Sequence, residues 1–128
     1  MQHERHYSLA EASALLPWVA EVLRRMRAAR VKLGDSEARA ALAAAGPTNG
    51  GGSHGRTVSE GFLRLRDAIG ELREREIVLR DLDRGLIDFP ALRDGQGIYL
   101  CWQEGEDEIG FWHDPESGFS GRRPLDDG

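Results

Sequence analysis

The sequence predicts an α+β domain: an antiparallel two-helix hairpin, its first helix kinked at Pro17, packed on a small antiparallel β-sheet. Three observations predict it. Two stretches between about residues 8 and 75 carry apolar side chains at alternating spacings of four and three, the period of a helix face that meets a partner. The last third instead holds short runs rich in β-branched and aromatic residues, separated by turn-forming glycines. Between the two helical seams lies a glycine-rich stretch that lets the chain reverse.

A chain of 128 residues makes one domain with one core. Within it we expect a helical hairpin over about 8–75, interrupted by a flexible connector over about 46–56, and a C-terminal β region over about 77–123. Charged residues are 30% of the chain and the net charge is −5, which predicts a soluble protein. The acidic balance argues against a general nucleic-acid binder, since phosphate recognition calls for a basic excess. Lys32 is the one lysine among 17 Lys and Arg residues, a bias that reads as genome composition rather than phosphate recognition. The single cysteine, Cys101, cannot form an internal disulfide, and no apolar run resembles a signal peptide or reaches the roughly 20 residues that span a bilayer. The expected place is therefore the cytoplasm, with no membrane partner.

Taken in order, Met1 to Tyr7 is a polar arm whose His3 and His6 sit outside any periodic segment. Ser8 and Glu11 form a capping box that starts a helix. Pro17 comes too late for the first turn of that helix, so the rod should kink or restart near Leu16. Leu15, Val19, Val22, Met26, Ala29 and Leu33 make the first seam. Asp35 or Ser36 caps a short alanine-rich helix to about Ala45, and the connector from Gly46 to Gly55 follows. That connector lacks the Gly-Lys-Ser/Thr ending and the preceding strand of a phosphate loop, and His54 within it is expected to be solvated. Thr57 to Glu60 is a second capping box, opening a helix whose Val58, Phe62, Leu65, Ile69 and Leu72 make the second seam. Two seams of matching length are most simply satisfied by each other. Continued spacing would carry Glu76 onto the seam, but Ile77-Val78-Leu79 reads as a strand, so the helix should end first.

In the β region, strands over Ile77–Leu82 and Leu86–Phe89 flank a tight turn, and Pro90 is expected to end the second. Strands over Ile98–Gln103 and Ile109–His113 flank an acidic loop from Glu104 to Glu108. Aromatic residues fall on both faces of that hairpin, Tyr99 against Trp102 and Phe111 against Trp112. Helices can cover one face; a second copy of the chain is the expected cover of the other, making a homo-oligomer.

These residues also carry a resemblance. Arg80-Asp81-Leu82, Gly85-Leu86-Ile87-Asp88-Phe89-Pro90-Ala91, Tyr99-Leu100-Cys101-Trp102, Gly105-Glu106, Ile109, Trp112-His113 and Gly118-Phe119-Ser120-Gly121-Arg122 are similar to a small bacterial and archaeal family, domain of unknown function family 2203. Tyr7 to Ala12 and Leu15-Leu16-Pro17 resemble the start of that family, and only the stretch from about Gly34 to Arg56 falls outside the likeness. The resemblance implies a fold and a set of motif positions and no activity. Two positions depart from its pattern: Ser13, where the family carries Asn, and Arg75-Glu76, where a glycine would end the second helix.

Three kinds of chemistry are open to the C-terminal region. His113, Glu106 and Asp88 are candidate ligands for a divalent metal, since imidazole and carboxylate together suit zinc, manganese or iron; the commoner alternative is a structural His113, hydrogen-bonded to a carboxylate at a sheet edge. Asp114 and Glu116 are candidate supporting groups or bases, and Arg122, Arg123 and Arg80 could clamp an anion, although such arginines more often pair with the protein's own Asp81, Asp83 or Asp88 and tie the C-terminal tail to the sheet. Cys101 is a possible reactive thiol if a nearby cation or His113 lowers its pKa; otherwise it is a small core residue. None of these spacings is diagnostic of one activity. Two functional readings follow: a self-associating binding or accessory module, which we prefer from the sequence, and a metal-dependent binding protein or small enzyme.

Overall fold

The structure, a computed structural model, describes residues 3–33 and 60–125. The expected alanine-rich helix, the connector with His54, and Thr57 to Ser59 of the second capping box lie outside the described residues. The elements are α1 (Leu9–Ala14), α2 (Leu16–Val31), α3 (Glu60–Glu74), and β1 (Val78–Asp81), β2 (Leu86–Arg93), β3 (Gln96–Gln103), β4 (Phe111–His113) and β5 (Arg123–Pro124), with a short 3-10 turn at Phe119–Gly121. The fold is α+β, with three helices and one antiparallel five-stranded sheet in the order β1-β2-β3-β4-β5. No helix among the described residues is long and apolar enough to cross a membrane.

Ser8 caps α1 as expected. Its Oγ accepts from the Glu11 N–H at 3.0 Å, while the Glu11 carboxylate accepts from the Ser8 N–H at 2.9 Å. Of the two outcomes expected near Leu16 the chain restarts: Leu15 separates the helices, and Leu16 opens α2 with Pro17 in the first turn, where its missing N–H is not needed. Most of the two seams is buried: Val19, Val22, Met26, Ala29 and Leu33 face the core with Leu65, Ile69 and Leu72 from α3, while Leu15 and Phe62 are half-buried beside it. The two helices meet closely. A Cβ on Gly61 would stand 3.2 Å from the Ala29 carbonyl oxygen, Glu71 pairs with Arg25 at 2.7 Å, and the Arg75 guanidinium stacks 4.3 Å from the Trp18 ring centre.

The end of α3 explains the missing glycine. The Ile77 N–H bonds the Leu72 carbonyl at 3.0 Å and the Glu76 N–H the Arg73 carbonyl at 2.9 Å, the crossed pair of a Schellman cap, with Leu72 and Ile77 both buried beside it. The residue at the turn adopts φ +60°, and it is Glu76. What its side chain does there offsets the strain: the carboxylate accepts from His3 Nδ1 at 3.0 Å and from the Glu4 N–H at 3.0 Å, tying the N-terminal arm to the helix end.

β2 does not stop at Pro90. It continues to Arg93, and Pro90 pairs with Tyr99 in the middle of the β2–β3 ladder. The Pro90 carbonyl points away from β3 and accepts from the Tyr7 N–H at 2.7 Å, so its nitrogen also points away from β3 and owes that strand no donor. β2 and β3 are joined at Asp94-Gly95, with φ of +52° and +80°, the two-residue turn that matches strand twist.

Alternation sorts the sheet into two faces. Ile87, Phe89, Ala91, Ile98, Leu100 and Trp102 join the helices in the core. The opposite face carries Asp88, Tyr99, Cys101 and His113, which are buried as well. Their cover is the chain itself: His3 Nε2 bonds the Tyr99 hydroxyl at 2.8 Å, Pro115 to Phe119 close over Asp88 and Cys101, and Arg122 lies 4.0 Å from the Phe111 ring centre. The second face thus has a cover without a partner subunit.

Candidate functional site

Ladder register brings the site together. Asp88 on β2 stands opposite Cys101 on β3, and the pair falls two residues from Pro90–Tyr99, at the narrow spacing of an antiparallel ladder where facing side chains approach most closely. His113 on β4 pairs with Tyr99, which puts it on the same face, diagonal to Cys101. One ligand atom from each of Asp88, Cys101 and His113 lies within 4.8 Å of the others, and the three residues are 1%, 2% and 1% exposed.

Each atom at the centre is specified by its partners. His113 Nδ1 lies 2.8 Å from the Asp114 carbonyl, which can only accept, so Nδ1 carries hydrogen and Nε2 is the nitrogen that faces Asp88 Oδ2 at 2.9 Å. A neutral imidazole and a carboxylate would present two acceptors to each other there; one proton, or a cation in its place, has to lie between them. Arg80 Nε donates to the same Oδ2 at 2.7 Å. Arg80 reaches it from an irregularity in the β1–β2 ladder between Leu79 and Asp81, the kind of bulge that re-aims a side chain. Its guanidinium also lies 5.1 Å from the Tyr99 ring centre.

Cys101 is not set up as a nucleophile. Burial, then the charge of Asp88, push its thiol up to about 11, with Arg122 pulling the other way. A nucleophilic cysteine needs the opposite shift. A bound ion would displace the proton of the same thiol to solvent.

The remaining expected residues are distributed around this centre. Glu106 is not in the converging group: its Oε1 accepts from Arg122 at 3.0 Å and from the Gln103 N–H at 2.8 Å, which closes the β3–β4 loop. Asp114 supplies the carbonyl that orients His113, while its carboxylate accepts from the Ser117 hydroxyl at 3.2 Å and lies 4.0 Å from Arg123. Glu116 is exposed at the rim of a cavity of about 200 Å³ that opens onto Asp88, Cys101 and His113. Arg80 lines that cavity, and Arg122 does not. Arg122 is instead held between the Phe111 and Phe119 rings at 4.0 and 4.5 Å, and its Nε is, among the described residues, the buried side-chain donor without a partner. Asp83 pairs with Arg30 at 2.8 Å, and Asp81 accepts from the Arg84 N–H at 3.1 Å within the β1–β2 turn.

Sequence reasoning named Asp88 and His113 together and treated Cys101 apart from them. The signal that joins them is Asp94-Gly95. Once that dipeptide is read as a two-residue turn, residues equidistant from it pair, and Asp88 and Cys101 are equidistant.

A model of the protein family described as Uncharacterized conserved protein (DUF2203) matches residues 5–125. No curated protein and no solved structure matches the chain.

Proposed function

The chain belongs to the DUF2203 family, and from the geometry of its site we propose that it is a divalent-metal-binding protein whose ion is held by Asp88, Cys101 and His113. One observation carries the reading: three buried donors of different chemistry, from three adjacent strands, converge within 4.8 Å. Thiolate, imidazole and carboxylate together suit zinc, and three protein ligands with a fourth position left to solvent or substrate is the pattern of reactive rather than purely structural zinc sites. The Nδ1–H of His113 on a backbone carbonyl is the outer support that metal-bound histidines receive. The ion takes the place of the proton between His113 and Asp88 and of the proton on Cys101.

Metal content by mass spectrometry tests this on untagged chain purified without chelator, beside His113→Ala and Cys101→Ser. We expect about one zinc per wild-type chain and none in either variant, with the helical circular dichroism of Cys101→Ser retained. A metal-free wild type would overturn the proposal.

The finer picture of the scaffold follows the same reasoning. The contacts of Gly61 with Ala29, Glu71 with Arg25 and Arg75 with Trp18 support an antiparallel helical hairpin packed on the sheet. A single unpaired cysteine supports a cytoplasmic home. Self-association, expected from the aromatic hairpin, loses its main support because the second face is covered within one chain.

A further inference from the structure

We infer that the metal position is one half of a site for a small oxyanion, a carboxylate or a phosphate, and that Arg80 is the other half; this rests on the metal reading above. Asp88, Cys101 and His113 line a cavity of about 200 Å³ together with Arg80, Glu116 and Phe119. That volume lies below the roughly 300 Å³ at which pockets for drug-sized ligands begin, so the occupant has few heavy atoms. Three protein ligands leave zinc one short of four, and the fourth has to enter through the space these ligands line.

Arg80 is built for one kind of ligand. Its Nε is held on Asp88 Oδ2 at 2.7 Å and its guanidinium lies 5.1 Å from the Tyr99 ring centre, so the head is positioned before anything binds. The two terminal nitrogens are not used on Asp88, the side chain is 43% exposed, and it lines the cavity. A planar fork held in this way recognises an oxyanion through two parallel N–H donors. The ion and the guanidinium would also face one confined space with like charge, and an anion between them relieves that repulsion while a neutral ligand does not. Arg122, the other arginine expected to hold an anion, does not line the cavity; it stacks on Phe111 and Phe119, pairs with Glu106 and reaches the Cys101 thiol.

The experiment loads the full chain with cobalt(II) and follows the visible spectrum of the ion during titration with acetate, inorganic phosphate and azide. Azide shares the charge of these ligands but offers the fork no pair of oxygens. Wild type, Arg80→Gln and Arg80→Lys are compared at equal cobalt content. We expect acetate or phosphate to bind wild type and to weaken by about 10- to 100-fold in Arg80→Gln, the loss of hydrogen bonds to a charged group, with azide weakened clearly less. Arg80→Lys, which keeps the charge without the fork, should fall between, and it carries the test if Arg80→Gln fails to hold cobalt. Cobalt bound with no response to acetate or phosphate, or with azide and acetate weakened alike by the variants, overturns the oxyanion site and leaves the metal site standing. No cobalt bound to wild type overturns both.

Discussion

His113 is 1% exposed, and each of its ring nitrogens is committed, Nδ1 to the Asp114 carbonyl and Nε2 to Asp88. Truncating it takes one hydrogen-bond partner from the buried Asp88 carboxylate and leaves Arg80 as the other, so His113→Ala should destabilise the metal-free chain by about 1–3 kcal/mol, the usual cost of taking a partner from a buried polar group; urea unfolding with chelator present measures this. Cys101 makes a second point at the same scale. Its thiol is 2% exposed and pushed up to about 11, so iodoacetamide at neutral pH should alkylate it far more slowly in the folded chain than after unfolding in urea, as read by intact mass. Fast alkylation of the folded chain would mean that the β3 face opens. Of these residues, Asp88 and His113 were legible as candidate ligands because charged and imidazole side chains stand out in an apolar run. Cys101 was not, because a cysteine between Leu100 and Trp102 looks the same whether it packs or ligates.

Elements carry their own signatures, and these differed in legibility. The capping box at Ser8 and Glu11 was readable because both partners lie within one turn of each other. Pro90 misled because a proline ends a strand only when its nitrogen faces a neighbouring strand, and the side it faces depends on which residues pair. At the end of α3, Glu76→Gly should leave global stability nearly unchanged: relief of a left-handed backbone, worth about 1–2 kcal/mol, offsets the lost hydrogen bonds to the arm. Hydrogen exchange at Glu4 should nonetheless quicken, and unchanged protection there would show that the arm is held by other contacts. Gly85, at φ +66°, has a different reason to be glycine. A Cβ there would stand 2.5 Å from the Glu104 Cβ, so Gly85→Ala should lower stability by more than the ~1–2 kcal/mol backbone term alone.

For the whole molecule, the helices and the sheet are held together by apolar burial and by a few charged links that cross between elements. Arg27 donates to the Leu82 carbonyl and pairs with Glu104, both at 2.7 Å, which fixes α2 over the β1–β2 turn and the β3–β4 loop at once. Arg25 and Glu71 join α2 to α3, and the hydrogen bond from Arg25, against an opposing effect of burial, holds the Glu71 carboxyl below its ordinary 4.5. Glu76 is lowered too: burial works against it, and the bonds from His3 and the arm outweigh burial. A carboxylate whose folded pKa is depressed contributes stability above its unfolded value and loses it as pH falls through the folded one. Thermal stability should therefore decline as pH drops below about 4.5, and Arg25→Gln should flatten that slope. The same scale bears on the covered face. Deleting residues from Pro115 onward removes the cover over Asp88, Cys101 and His113, and the exposed aromatic face should then drive association, visible as a rise in mass by light scattering. A truncated chain that stays monomeric would mean that the N-terminal arm is cover enough.

The sequence by itself determined the α+β class, the buried seams, the cap at Ser8 and the strand character of the last third, because each depends on residues close together along the chain or repeating with a helical or strand period. Only the tertiary structure decided that Asp88, Cys101 and His113 form one group and that Glu106 closes a loop. It also decided that the second face of the sheet is covered by the chain's own ends. Those outcomes depend on ladder register and on where the terminal segments fold back, which are set by contacts between residues far apart in the chain.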